Sequence, residues 1–279
     1  MNKLERTNTY NNGIDQVCRY MDLNKFIDFV INRRIYLSRM DGFEDPYEAI
    51  SKEQLERLFA ESEDMENEEE DEVQDISTKS LPSNKETSEL SILERQKGYF
   101  VSCWFSENSE SLAMWKLYAG NEGALVKVKL KELVKLFGGA KIKLGSDFIS
   151  ESKIRRFYHG NVDYLKFADP VGRSEMKTNT RVMGFHKDKA YEHEKEFRFL
   201  LKLKSKYRID YQDMNEPMFF DLPYASDELF SIVLNPMMPV WQRQNIKSVV
   251  SQFKRRFNIC ESTLRVKTKA YLNAEQFYI

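Results

Sequence analysis

Residues 192 to 204, EHEKEFRFLLKLK, constrain the fold of this chain more than any other stretch. Phe197, Phe199, Leu201 and Leu203 fall on one parity. Glu192, Glu194, Glu196, Arg198, Lys202 and Lys204 fall on the other, with Leu200 as the single break. Side chains alternate sides along a strand, whereas a helix would scatter the apolar positions round its axis. The stretch therefore predicts a β-strand with one apolar and one charged face. Two readings of the charged face stay open. It is the solvated side of an ordinary antiparallel sheet, or it lines a cleft.

Helical and strand patterns are interspersed along the rest of the chain. DLNKFIDFVINRR begins with Asp22, an N-cap residue, and places Leu23, Phe26, Ile27 and Val30 on one helical face. RIYLS (34–38), GYFVSCWFS (98–106), GALVKVKL and LFSIVLNP read as strands. SESLAMWKLYAG reads as a short helix capped by Ser109 or Ser111 and ended by Gly120. FYHGNVDYLKF (157–167) reads as a hairpin or kinked strand, and EMKTNTRVMGF as a helix. VWQRQNIKSVVSQFKRRF reads as an amphipathic helix, and LRVKTKAYL as the last strand. There is no repeat and no regular βαβ rhythm. The expected class is α+β, one domain over 1–279 with a mixed, mainly antiparallel sheet.

The 279 residues are enough to bury a core, and a content of 41% hydrophobic and 13% aromatic residues belongs to globular chains. No apolar run has the length of a membrane span, so no membrane partner is expected. The opening MNKLERTNTYNNG lacks the apolar core of a signal peptide. Three scattered cysteines, Cys18, Cys103 and Cys260, fit a reducing cytoplasm better than a disulfide framework.

The net charge of −1 conceals an asymmetry. Residues 61 to 75, ESEDMENEEEDEVQD, hold ten acidic residues and no basic one, and without them 43 basic and 34 acidic residues remain. A basic body suits a polyanionic partner such as nucleic acid. The acidic run and the polar residues after it read as a partly disordered insertion over 60–90, a segment able to dock a regulatory protein.

Several chemistries lack their motifs. There is no GxGxxG, no GxxxxGK[ST], no GxSxG and no CxxC, and His159, His186 and His193 lack the spacing of a helical zinc site. No metal site is expected from these residues. The carboxylates Asp45, Glu48, Glu194 and Glu196 leave a Mg²⁺-dependent nuclease as an alternative.

Four segments form a set: FEDPYE (43–48), SCWFSE (102–107), MWKLYAGNEGALV (114–126), and Lys187 with EKEFR (194–198). In order and approximate spacing the set resembles an uncharacterised bacterial family, a domain of unknown function. That family has a Phe-x-Asp-Pro-x-Glu loop, a Cys-x-Phe-Ser strand, a Met-Trp-x-x-Tyr-Ala helix and a Glu-Lys-Glu-aromatic-Arg strand. The aromatic before the glutamates, usually tryptophan there, is Tyr191 here. A more distant pattern resembles the ADP-ribosyltransferase superfamily, whose strands supply in turn an Arg or His, a Ser or Tyr, and a Glu. Here CRY (18–20), VSCWFS (101–106) and EKE (194–196) stand in that order.

That second resemblance implies an ADP-ribosyltransferase-like core with NAD as substrate, transferring ADP-ribose to a nucleic acid or protein, or hydrolysing NAD. The biological role it implies is a toxin or effector in anti-phage defence, with an antitoxin as a possible partner. Cleaving the nicotinamide–ribose bond builds positive charge on the sugar, which a fixed carboxylate stabilises. Glu196 takes that role, Glu194 is the general base for the nucleophile, and Arg198 keeps both ionised. Arg19 holds a phosphate or ribose, Ser102 positions a ribose, and Tyr20, Trp115 or Tyr118 stacks on a ring. The non-enzymatic alternative is a sensor or binding module.

Overall fold

The computed structural model describes residues 4–6, 13–68, 92–176, 183–207 and 216–264. Its strands are β1 (Leu4–Arg6), β2 (Gln16–Met21), β3 (Arg34–Arg39), β4 (Tyr99–Phe105), β5 (Ala124–Lys129), β6 (Lys141–Leu144), β7 (Asp147–Phe148), β8 (Ile154–Asn161), β9 (Asp163–Leu165), β10 (His186–Asp188), β11 (Glu196–Leu203), β12 (Met218–Asp221), β13 (Ser231–Leu234) and β14 (Asn258–Cys260). Twelve of them join one sheet, and β9 and β10 form a separate parallel pair. Pairing in the large sheet is antiparallel except at β1–β8 and β13–β14. The chain is thus mixed α/β with a mainly antiparallel sheet.

The sheet branches at β4. One side of β4 pairs along its length with β11, which pairs in turn with β8. The other side is shared. Phe105 pairs with Cys18 of β2, while Val101 and Phe100 pair with Ser38 and Arg39 of β3. Between these contacts β2 and β3 part, and each leads its own arm of the sheet: β2–β5–β13–β14 and β3–β12–β6–β7.

One face of the sheet carries the main core. Trp104, Phe197, Phe199 and Phe220 pack with Phe26 and Phe29 of the helix Leu23–Asn32, Phe137 of the helix Leu130–Gly139, and Ile246 and Val250 of the helix Val240–Gln252. Phe137 stacks on Phe220 at 4.0 Å and meets Phe199 edge-on at 4.7 Å. Asp22 caps its helix as expected, accepting from the Lys25 amide at 2.9 Å, and Arg33 ends that helix in the left-handed region at φ 55°.

Several expectations are revised. The strand of 192–204 begins only at Glu196; residues 189–194 form a 3₁₀ turn, and Lys195 reverses the chain at φ 41°. Of the two readings left open for the charged face of β11, the solvated one does not hold: Glu196 and Arg198 are buried, as is Leu200 beside them. FYHGNVDYLKF is a kinked strand, β8 passing into β9 through Val162, and not a hairpin. Of the helix expected over 175–185, residues 177–182 lie outside the described residues, and those on either side are not helical. Within the expected insertion the helix Lys52–Glu68 runs through its first part; residues 69–91 lie outside the described residues, as do residues 265–279 with most of LRVKTKAYL.

Phe199 is fully buried in the aromatic cluster. Phe199→Ala is expected to destabilise the protein by about 3–5 kcal/mol, read as a lowered urea midpoint with an unchanged slope.

Candidate functional site

The second face of the sheet, opposite the main core, carries the charges. In the β4–β11–β8 ladder Arg198 stands between Cys103 and Gly160, two small residues that leave room for its guanidinium. Arg198 is fully buried and every N–H of its head is used. Nη1 and Nη2 donate to the two oxygens of Glu48 at 2.6 and 2.7 Å. Nε and Nη2 donate to the two oxygens of Glu196 at 2.7 and 2.8 Å, and Nη1 also reaches the Gly184 carbonyl at 2.8 Å. A saturated guanidinium has no donor left for a ligand, so Arg198 holds Glu196 in place and offers nothing further to the cavity.

Gly184 makes that carbonyl available. It sits at φ +88°, and a Cβ there would lie 2.4 Å from Leu200 Cδ1. Only glycine meets both demands.

Lys187, on β10, completes the cluster. Its Nζ lies 2.6 Å from Glu194 Oε2, 3.2 Å from Glu196 Oε1 and 3.5 Å from Glu48 Oε1. Asp188 next to it caps the 3₁₀ turn through the Ala190 amide at 2.9 Å, and the turn carries Glu194 back toward Glu196. Glu194 and Glu196 therefore meet, through a turn and a left-handed residue and not along one strand. Glu192 stays at the surface with Lys195.

Three carboxyls face two cations here, so the cluster is neutral when one carboxyl is protonated. Glu194 holds that proton most tightly. Burial, then the hydrogen bond and charge of Glu196, push its pKa up to about 7, against the pull of Lys187. Burial also works against ionising Glu196, yet Arg198 and then Lys187 hold it well below the usual carboxylate range. The two neighbouring carboxyls are thus shifted in opposite directions, an arrangement that suits divided acid–base roles.

Both carboxyls line a cavity of about 600 Å³, of the size that holds a small-molecule ligand. It opens where β2 and β3 part. Arg19 closes its floor, Nη1 donating to the Tyr36 carbonyl of β3 at 3.0 Å and to Ser102 Oγ of β4 at 2.6 Å. No carboxylate pairs with Arg19 among the described residues, and burial draws its pKa below the ordinary value. Tyr191, Phe43 and Leu117 line other walls.

The residues expected at the site divide. Glu194, Glu196, Arg19, Tyr20 and Tyr118 line this cavity. Ser102 is fully buried beneath Arg19 on the opposite face from Glu196, accepting also from Trp104 Nε1 at 3.0 Å. Trp115 is fully buried, its Nε1 donating to Glu110 at 3.2 Å, and Tyr20 packs edge-on against it at 5.2 Å. Glu110 also accepts from Ser262 Oγ at 2.6 Å and the Thr263 amide at 2.9 Å, clasping residues near the C-terminal end. Arg19 and Ser102 thus meet each other, but Ser102 does not reach the carboxyl pair.

Lys187 and Glu48 belong to two of the four segments that form a set in the sequence, and the structure adds that they meet, Lys187 Nζ lying 3.5 Å from Glu48 Oε1. Of the carboxylates named for a nuclease, Glu48, Glu194 and Glu196 face Lys187 and Arg198, and the described residues include no group of His, Cys, Asp and Glu side chains arranged to hold a metal ion. Among them, too, no helix is long and apolar enough to cross a membrane.

No family model matches the chain, and no curated protein or solved structure is significantly similar to it.

Arg198→Met would leave Glu48 and Glu196 buried without their partner, and is expected to cost about 3–5 kcal/mol in denaturant unfolding. The pH dependence of stability has a defined sign. Glu194 has a folded pKa raised from 4.5 to about 7, so its contribution is complete below about pH 4.5 and is lost as the pH rises through about 7. Glu194→Gln is expected to flatten the fall in melting temperature across that interval.

Proposed function

We propose that the protein cleaves the bond between nicotinamide and ribose in NAD, passing ADP-ribose to a macromolecular acceptor or to water. The observation that carries this reading is the pairing of Glu194 and Glu196 at one wall of a cavity whose floor is an arginine with no carboxylate partner among the described residues. Such a cavity suits a ligand with an anionic part and a reacting centre that turns cationic. Arg19 has donors beyond Nη1 to offer a phosphate group, in the planar geometry such groups accept.

At the other wall Glu196 is ionised and rigidly held, as a stabiliser of positive charge on the ribose must be. Glu194 has an affinity for protons matched to neutral pH, as a general base requires. Leu117 and Tyr118 are exposed beside the cavity, so a large acceptor has access. The basic body favours a nucleic acid as that acceptor. An ADP-ribosyltransferase-like core and a role as a toxin or effector in anti-phage defence belong to this proposal and rest on the sequence pattern.

Incubated with NAD, alone or with RNA, DNA or protein, the purified protein is expected to release nicotinamide. Glu196→Gln should slow release by about 10²-fold or more while NAD binding by calorimetry persists. A protein that neither binds NAD nor releases nicotinamide under any of these conditions refutes the proposal.

A further inference from the structure

Three of the four oxygens of the acid pair are held by cations. Glu196 Oε2 accepts from Arg198 Nε, Glu196 Oε1 from Arg198 Nη2 and Lys187 Nζ, and Glu194 Oε2 from Lys187 Nζ. The fourth, Glu194 Oε1, takes instead the hydroxyl of Tyr118 at 2.5 Å. Glu194 is only 6% exposed and Tyr118 is 43% exposed. The phenol stands between the buried carboxyl and solvent.

The local backbone is built to present it there. Trp115 and Tyr118, three apart, would share a face of an α-helix. Instead Trp115–Ala119 forms a π-turn, a feature that often marks functional sites. Trp115 stays fully buried on Glu110 while Tyr118 is turned to the cavity. Gly120 ends the turn at φ 62°, and Gly123 lies so close that a Cβ would fall 2.4 Å from the Ala119 carbonyl oxygen.

We propose that Tyr118 is a catalytic residue that relays the proton from the incoming nucleophile to Glu194 Oε1. This rests on the NAD-cleavage reading. In the step, the nucleophile's O–H proton passes to Tyr118 Oη as the proton of Tyr118 passes to Glu194 Oε1. The nucleophile's oxygen bonds to the ribose carbon, the carbon–nitrogen bond breaks, and its electron pair leaves on the nicotinamide ring nitrogen, cancelling the pyridinium charge. Glu194 enters ionised and ends protonated; Glu196 carries no proton.

The acid pair shares this environment with Arg198 of β11, Lys187 of β10, Cys103 of β4 and Tyr164 of β9; the 43–48 loop adds Glu44, Asp45 and Glu48, the 3₁₀ turn Tyr191, and the rest of the cavity wall Arg19 and Lys25. Burial, then Glu196, push the Cys103 thiol well above its ordinary pKa, and burial, then the hydrogen bond to Glu194, raise that of Tyr118, so both stay neutral.

The test joins kinetics to a titration. The rate of nicotinamide release by the unmodified protein is expected to rise with pH through about 7. In Tyr118→Phe, kcat should fall by about 10²-fold with KM for NAD little changed. Glu194→Gln should lose a similar factor, and the double variant no more than the larger single loss, because the two act as one unit. Independently of substrate, carbon-13 NMR of labelled glutamate, assigned by its loss in Glu194→Gln, should show Glu194 titrating at higher pH in Tyr118→Phe, since a bond to its ionised form is gone. A rise in KM alone, additive losses or an unmoved titration would overturn the relay while leaving NAD cleavage standing. No nicotinamide release by the unmodified protein would overturn the cleavage reading and the relayed step with it.

Discussion

The bidentate pair between Arg198 and Glu48 is the interaction on which the rest of the site depends. Both side chains are fully buried and lie 150 residues apart in sequence. Removing two such charges from water costs several kcal/mol each, and their attraction offsets this only when geometry and remaining hydrogen bonds are complete. Here they are: the guanidinium also holds both oxygens of Glu196 and one backbone carbonyl. The pair fastens the 43–48 loop over the charged face of β11. That turns a strand face which would otherwise meet water into the wall of a cavity.

A second constraint is the parting of β2 and β3 along a shared neighbour. An antiparallel sheet that continued unbroken past β4 would leave no opening at Ser102, Cys103 and Trp104. Because each arm takes only one end of β4, a gap remains, and Arg19 of β2 reaches across it, its Nη1 donating both to the Tyr36 carbonyl of β3 and to Ser102 Oγ of β4. The acid pair and the arginine thus come to one cavity from different faces of the sheet, a relation that strand order alone does not convey.

How much of this was legible in the sequence follows from the range of each signal. The alternation of Phe197, Phe199, Leu201 and Leu203 identified β11 because a buried core face imposes period two directly. The same parity misled at Glu194. Its placement beside Glu196 comes from a capped 3₁₀ turn and a left-handed lysine, and Lys195 has none of the usual marks of that conformation. Asp22 announced its helix because capping is local. SESLAMWKLYAG reads as a short helix, which would put Trp115 and Tyr118 on one face, and the π-helical turn that separates them leaves no period to read. The joining of Glu48 to Arg198, and of Lys187 to both glutamates, is tertiary. The motifs pointed to those residues without saying which would touch.

The clasp at Glu110 has a mechanical consequence. One carboxylate accepts from the indole of Trp115 and from Ser262 Oγ on Oε2, and from the Thr263 amide on Oε1, so the start of the turn that carries Tyr118 and the last described stretch of the chain share a single anchor. Ser262 and Thr263 line no part of the cavity, yet through Glu110 they bear on the residue at which the tyrosine's turn begins.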